Sequence, residues 1–466
     1  MSLSMKDARD LVVGLEKEVP LLDGTKRRYI NLDNAATTPP FKEVLNAINE
    51  FAGWYSSVHR GTGYKSLLST KLYNHCRDIV GQFIGADPSF HIVIFCNNTT
   101  DAINKICCRL NLARDEVVLT TLMEHHSNQL PWRFCGAVDY VELNDADGTL
   151  DLNSLRAKLE QYKGRVRLVA VTGASNITGI INPIRDIGTL AHQYGAFFLV
   201  DMAQLIAHRP VQMGYASDSG HIDFMAFSAH KMYAPFGCGV LAGPKGFFNE
   251  GRPAMVGGGT VELVTMKEIV WSEAPEREEA GSPNLFGALA LAKAIQMLQR
   301  LGMENVAAHE RDLTRKTLRL LREIPGITIY GDNDPDLKQD RVGVIPILAE
   351  CYGHGLLAAI LSYEWGIGVR HGCFCAHSYV THLFDLSQED LDKYLDRVRK
   401  GDRTDLPGLV RISFGIYNTP EEIEYLALAL REIMKNGPRF KYALNKAEGE
   451  YYPEGSSDKI DLSFLI

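Results

Sequence analysis

Residues 370–378 read RHGCFCAHS, which puts an arginine, two cysteines and two histidines in one short stretch. Such a cluster serves a metal site, a disulfide, a buried turn or a loop that carries a reactive thiol. The stretch alone leaves all four open. A second concentration of chemistry is FSAHKMYAPFGCGVLAG, residues 227–243, where Lys231 follows a strand-like run together with Ser228 and His230. A lysine at a strand end among small and hydroxyl residues suits a Schiff-base nucleophile, because burial lowers its pKa. The plain alternative is a surface lysine just beyond a strand.

Four further strand ends carry polar groups. Asp201 closes the apolar run FFLVD, with Gln204 three residues on. A carboxylate there could face the pyridine nitrogen of pyridoxal phosphate, which needs such a partner to act as an electron sink, and Gln204 could reach the ring hydroxyl. It could equally cap a helix. FCNNTTDAINK, residues 95–105, passes from strand to helix, so backbone N–H groups with the Thr99 and Thr100 hydroxyls could hold a phosphate, or merely cap. His125 and His126 follow the next strand. His125 could stack on a planar ring, and adjacent histidines outside an HExxH pattern are poor zinc ligands. Asn176 in ASNITG supplies an amide at another strand end. Each signal is weak alone. Taken in order they match a pyridoxal-phosphate site, whereas no GxGxxG or Walker pattern accompanies the phosphate binder.

The elements that must position these groups are legible as well. HIVIFC, DEVVLT, AVDYVEL, RVRLVAVT, AFFLVD, IDFMAFS and CGVLAG read as strands, and amphipathic segments such as DLNSLRAKLEQY separate several of them. This alternation implies βαβ units and a mostly parallel sheet. A helical region follows from about 283 to 323. The pattern then shifts to short strands and helices near 354–364 and 388–400, with a further helix starting at TPEE after Thr419. The expected fold is α/β, a large domain with a mostly parallel seven-stranded sheet plus a smaller α+β C-terminal domain. Boundaries fall at 1–30 for an N-terminal segment packing on the small domain, 31–300 for the large domain, 301–440 for the small one, and 441–466 for a loose polar tail.

A formal net charge of −8 over 466 residues argues against nucleic acid as the main partner. No run of about 20 apolar residues reads as a membrane span. The N-terminus lacks the basic start and apolar core of a secretory signal. Nine cysteines, odd in number and irregularly spaced, do not read as a disulfide framework, so a cytoplasmic setting is expected.

At this point a resemblance enters. YINLDNAATTPP, SVHRGTGYKSLLST, TTLMEHHSNQLPW, VDMAQ, FSAHKMYAPFGCGVL, REEAGSPN, VRHGCFCAH and RISFGIYNTPEEI resemble, in order and across residues 28–435, a class V, fold-type I pyridoxal-phosphate enzyme of the cysteine desulfurase and selenocysteine lyase group. The resemblance implies that Lys231 is the Schiff-base lysine, that Asp201 meets the pyridine nitrogen and that His125 stacks on the ring. Gln204 and Asn176 would touch the ring oxygen and the substrate side. Thr99, Thr100, Ser228 and His230 would hold the phosphate. It implies a homodimer in which Ser282 reaches the neighbouring subunit's phosphate, and it places Arg411 on the substrate carboxylate, with Arg370 nearby.

The family's R-x-G-x-x-C-A loop makes Cys375 the nucleophile that takes sulfur from L-cysteine as a persulfide, releases alanine and passes the sulfur to an acceptor protein. Arg370 and protonated His371 or His377 are candidates to favour its thiolate. The GCFC sequence departs from many desulfurases and looks more like the loop of molybdenum-cofactor sulfurases, which leaves the acceptor open. Cys373 reads as a buried thiol, a relay thiol or, with Cys375 and His377, a metal ligand. C-x-C spacing disfavours the last, and no metal site is assigned. Selenocysteine lyase, another C–S lyase, or a class V aminotransferase or epimerase on the same fold are the alternative activities. A non-enzymatic persulfide carrier is the third.

Overall fold

The seven apolar runs form seven strands of one sheet in the computed structural model, which describes residues 3–59, 61–145, 148–336 and 339–455. They are β1 (His91–Cys96), β2 (Val117–Thr121), β3 (Ala137–Val141), β4 (Val166–Thr172), β5 (Phe197–Asp201), β6 (Phe224–Ser228) and β7 (Gly239–Pro244). Their order across the sheet is β1-β7-β6-β5-β4-β2-β3. Only β7 runs antiparallel to its neighbours. Successive side chains of a strand point to opposite faces, which is why the inner strands are largely apolar, whereas the edge strand β3 carries Asp139 and is mostly not buried. Val169 and Val171 of β4 enter one core, while Leu168 and Ala170 enter the other.

Parallel strands bring their C-terminal ends to one edge. Thr121, Thr172, Asp201 and Ser228 lie there, and Cys96 joins them because β1 and β6 both oppose β7. Helix α1 (Thr99–Leu110) starts at the same edge, capped by the Asn98 side chain. The chain can turn there only because β7 begins with glycine: a Cβ on Gly239 would fall 2.5 Å from the Asn98 Cα.

The expected single helical region of 283–323 is two helices, α2 (Leu285–Leu301) and α3 (Met303–Arg322), separated at Gly302, whose φ of 82° breaks the helix. Leu301 and Val306 pack in the core of the large sheet, whereas Leu313, Leu318 and Leu321 belong to a second core. That second core lies against an antiparallel sheet of β8 (Ile327–Ile329), β9 (Val344–Ala349), β10 (Arg370–Gly372) and β11 (Leu409–Ser413), in the order β8-β9-β11-β10. Helices α4 (His354–Trp365) and α6 (Pro420–Asn436) cover it through Leu357, Leu361, Leu426 and Leu430, and α5 (His377–Leu383) follows β10. Thr419 and Glu422 form the capping box that the TPEE signal promised.

The N-terminal segment contacts both cores. Ala8 and Val12 pack in the large one, while Leu22 N–H donates to Tyr363 O and Arg27 lies over the Tyr425 ring. The expected loose tail is corrected as far as it is described. Tyr442–Asn445 pairs with Glu450–Pro453 in a hairpin, and the Tyr442 hydroxyl donates to Glu364 at 3.0 Å. Its polar composition concealed a strand pair turned at Gly449, while 456–466 lie outside the described residues.

Candidate functional site

A 420 Å³ cavity opens at the C-terminal edge of the large sheet, and Thr99, Thr100, His125, Asn176, Asp201, Gln204, Ser228, His230, Lys231, Arg370, Cys375 and Arg411 all line it. Residues scattered over three hundred positions of chain converge because most of them follow strand ends of the large sheet, while Arg370, Cys375 and Arg411 come from the smaller sheet and its loop.

The floor carries the ionisable groups. Lys231 sits in the single turn after β6, where burial pushes its amine down to about 8, with Asp201 opposing and Arg411 adding to the shift. Asp201 is buried, and its Oδ1 accepts from the Ala203 N–H at 2.9 Å. Burial raises its pKa, against the pull of that hydrogen bond and of Lys231. Burial, then the charges of Lys231, His126 and Arg411, push His125 down to about 3, so its ring is neutral. The Ser127 N–H donates to His125 Nδ1 at 3.1 Å, which leaves the ring proton on Nε2. The buried Glu124 accepts from Thr121 Oγ1 and Asn128 Nδ2 and so anchors the turn that presents this ring. Gln204 Nε2 donates to Ala35 O at 2.8 Å.

A row of hydroxyls lies at the start of α1. Thr99 Oγ1 and Ser228 Oγ are 2.6 Å apart, the Thr99 N–H donates to the same Ser228 oxygen, and Thr100 Oγ1 lies 2.6 Å from Ser127 Oγ. Beside them His230 is pushed down to about 4 by burial and by Lys231. Neutral donors at a helix N-terminus form a cradle for a dianion. Together with a buried carboxylate, a neutral flat imidazole and a lysine of lowered pKa, the donor set fits pyridoxal phosphate.

Arg411, on β11, is 3% exposed and held on two sides: it donates to Asn176 O at 3.0 Å and to Asp33 Oδ1 at 3.1 Å. Its Nε has no partner. Arg370 is exposed and lies 3.7 Å from the second oxygen of Asp33.

The loop after β10 presents Cys375 to this cavity. Gly372 has φ 101°, and Phe374 and Cys375 adopt φ 51° and 55°, a left-handed conformation uncommon outside glycine. Hydrogen bonds hold it: Asn176 Nδ2 donates to Phe374 O at 2.8 Å, and the His126 N–H donates to Cys375 O at 2.7 Å. The Phe374 ring lies 4.8 Å below the Arg411 guanidinium. Cys375 is exposed. Cys373 instead donates to Pro407 O at 2.8 Å, and burial pushes its thiol up to about 12.

The histidines proposed to favour the Cys375 thiolate have other partners. His371 Nε2 meets Glu450 at 2.8 Å and its Nδ1 meets His354, while burial lowers the pKa of His377, which stacks on His126 at 4.9 Å. Lys231, Arg370 and Arg411 are the cations that line the cavity with Cys375. Among the described residues the loop's cysteines and histidines do not converge as three metal ligands, and all nine cysteines are free thiols.

Ser282 is the one expected residue outside this cavity. It is exposed and lines a second cavity of 480 Å³ with His59, Glu262 and Glu279. Reasoning from residues alone missed Asp33, Ser127 and Phe374, although each lies inside a stretch quoted for the resemblance.

The chain matches the aminotransferase class-V family over residues 30–426. It is 33% identical over 431 residues to a probable cysteine desulfurase of Halalkalibacterium halodurans, covering 90% of this chain and 97% of that one. It is 34% identical over 432 residues to a probable cysteine desulfurase of Aeropyrum pernix, again covering 90% and 97%. An apo structure of a cysteine desulfurase from Thermococcus onnurineus NA1 superposes with a TM-score of 0.77 at 32% identity, covering 87% of this chain and 95% of that one.

Proposed function

The chain belongs to the class-V aminotransferase family and within it to the cysteine desulfurases, a pyridoxal-phosphate-dependent group, and from that membership we propose that it converts L-cysteine to L-alanine and keeps the sulfur on Cys375. The observation that carries the reading is that Lys231, Asp201, Arg411 and Cys375 line one cavity.

Pyridoxal phosphate, when bound, supplies the electron sink that makes the α-proton of an amino acid acidic. Lys231 would carry it, Asp201 would hold its ring nitrogen and Gln204 its ring oxygen. His125 would stack on its face, and Thr99, Thr100, Ser228 and His230 would hold its phosphate. Arg411 binds the substrate carboxylate: Asn176 and Asp33 fix its guanidinium at the wall of the cavity. Asn176 orients the substrate side, and Arg370 adds positive charge at the mouth.

Lys231, with a pKa near the working pH, takes the α-proton of L-cysteine and can return a proton to carbon. The Cys375 thiolate attacks the substrate sulfur, so an S–S bond forms as the Cβ–S bond breaks and the electron pair of that bond goes to the carbon side. Protonation of Cβ and of Cα gives alanine. No net oxidant is required, because Cys375 retains the sulfur at the oxidation level of a persulfide, which a thiol of an acceptor protein then removes.

Ser282 fits a homodimer in which it reaches the partner subunit's phosphate site. Its cavity is shared with Glu262 of the hairpin Val261–Val264/Ile269–Trp271 and with Ser272, which directly follows it. That hairpin exposes Leu263, Val264, Met266, Ile269 and Val270, an apolar patch that a second copy would cover. Sedimentation at micromolar concentration tests this, and a monomer would contradict it. Nine free thiols suit a reducing cytoplasm, and among the described residues no helix is long and apolar enough to cross a membrane.

The functional test is alanine production from L-cysteine with and without a thiol reductant. Wild type should produce alanine, and Cys375→Ser and Lys231→Ala should each lose at least about 100-fold. Full alanine production by Cys375→Ser would instead show that Cys375 is not the sulfur-accepting nucleophile.

A further inference from the structure

The second place where chemistry-bearing side chains converge is at the opposite edge of the large sheet. His192 lies in the last turn of the helix Ile184–Gln193, His221 in the loop before β6, and Asp223 immediately ahead of β6, five residues from the Ser228 that ends in the catalytic cavity. One ring nitrogen or carboxylate oxygen from each lies within 4.8 Å of the others. His221 and Asp223 are buried and His192 is partly exposed.

The hydrogen bonds balance only with extra protons or with another atom. His192 Nδ1 lies 2.7 Å from Ser219 O, and His221 Nδ1 lies 2.7 Å from Asp218 O. A carbonyl only accepts, so each Nδ1 carries the ring proton and each neutral ring is left with a lone pair on Nε2. Both Nε2 atoms face the Asp223 carboxylate, His192 at 2.9 Å from Oδ2 and His221 at 3.2 Å from Oδ1. Lone pairs therefore confront lone pairs, unless both rings take a second proton. The rings stack at 4.1 Å and 19°, so double protonation would place two cations face to face on a single carboxylate.

A divalent cation removes the conflict. Two neutral imidazole nitrogens and a carboxylate are a three-ligand set for zinc, with a fourth position for water. Histidine ligands typically fix their tautomer by donating the other ring N–H to a carbonyl, as both do here. The three ligand atoms lie within 4.8 Å of one another, wider than the edge of about 3.3 Å of a tetrahedron with bonds of roughly 2.0–2.1 Å, so a bound ion would draw them together. The carboxylate itself is aimed by the Phe198 N–H, which donates to Oδ2 at 2.7 Å.

We propose that His192, His221 and Asp223 form a site for Zn²⁺ or a similar imidazole-binding divalent metal, separate from the catalytic cavity. The metal ties the helix that ends at Gln193 to the entries of β5 and β6. Its role is structural, and turnover of L-cysteine does not pass through it.

The test uses the cofactor-loaded protein, dialysed against a chelator and then titrated with Zn²⁺ alone. Wild type is compared with His192→Gln, chosen because His192 is the partly exposed ligand, and any binding by the thiols of the catalytic loop is common to both. Wild type should take up one more equivalent per chain than the variant, or bind it at least ~10-fold more tightly, and Zn²⁺ should raise its thermal midpoint more than the variant's. Anomalous scattering at the zinc edge from wild-type crystals provides a readout independent of any variant, with the peak expected between the two Nε2 atoms. Equal stoichiometry and affinity in both proteins, or zinc found only at the loop thiols, would overturn the proposal and leave a doubly protonated histidine pair on Asp223.

Discussion

Replacing Arg411 with lysine separates the substrate-carboxylate role from mere positive charge. Lysine keeps the charge but lacks the planar fork. The present guanidinium spends two nitrogens on Asn176 O and Asp33 and keeps Nε unpartnered in a buried position. A lysine ammonium drawn to Asp33 would leave the substrate carboxylate without its charge-assisted bond. Such a bond contributes about 1.5–3 kcal/mol. At one decade per about 1.4 kcal/mol, kcat/KM for L-cysteine should fall by about 10- to 150-fold. The loss should sit mainly in KM, since the carboxylate is bound in ground and transition states alike. Initial rates of alanine formation across a range of L-cysteine concentrations measure it. Cofactor absorbance and thermal midpoint serve as controls, because the substitution also removes the stack on Phe374. An unchanged KM in a folded, cofactor-bearing Arg411→Lys protein would refute the assignment.

Three further outcomes follow from the same geometry. The lysine amine reacts with pyridoxal phosphate only when unprotonated, so covalent loading of the apoprotein should speed up with pH through a midpoint near 8, read by absorbance; a midpoint above 10 would place Lys231 in water. Cys373→Ser should retain alanine production within about 3-fold, because a thiol pushed up to about 12 and bonded to Pro407 O is no nucleophile at neutral pH; a large loss would make it a relay. Glu310 is buried, yet His208 and Arg209, 2.7 and 2.6 Å away, outweigh the desolvation and hold its carboxyl down to about 2. Its folded pKa lies below the ordinary 4.5, so its stabilisation is present above that value and is lost as pH falls toward 2. Glu310→Gln should therefore destabilise by about 3 kcal/mol at pH 7 in denaturant unfolding, and by progressively less below pH 4.5; a constant difference would contradict the ion pair.

The central sheet was legible because strands buried on both faces must be largely apolar, and the inner runs announce themselves that way, while the edge strand β3 shows a weaker signal with Asp139 in its middle. The cavity was legible for a related reason: a parallel sheet gathers its strand ends, so Thr99, His125, Asn176, Asp201 and Lys231 had to meet wherever the strands paired. What remained hidden depends on contacts between distant segments. Asp33 shows its value only when β11 brings Arg411 beside it, and Ser127 only when α1 brings Thr100 to it. Of the cations expected around Cys375, Arg370 lines the cavity with it, whereas the fold turns His371 to Glu450 and His377 to His126. The polar C-terminal segment concealed a hairpin whose anchoring residue, Glu364, lies far away in α4. The His192, His221 and Asp223 cluster likewise needed a helix end and a strand entry to be placed together.

The most direct test of the account is a single turnover of the cofactor-loaded protein with L-cysteine and no reductant, followed by mass spectrometry of the loop peptide. Cys373→Ser serves as the background so that only one thiol is present in the loop. The account predicts one added sulfur atom on the peptide bearing Cys375, matched by one alanine released and reversed by a thiol reductant. Alanine released with no sulfur on Cys375 would contradict it.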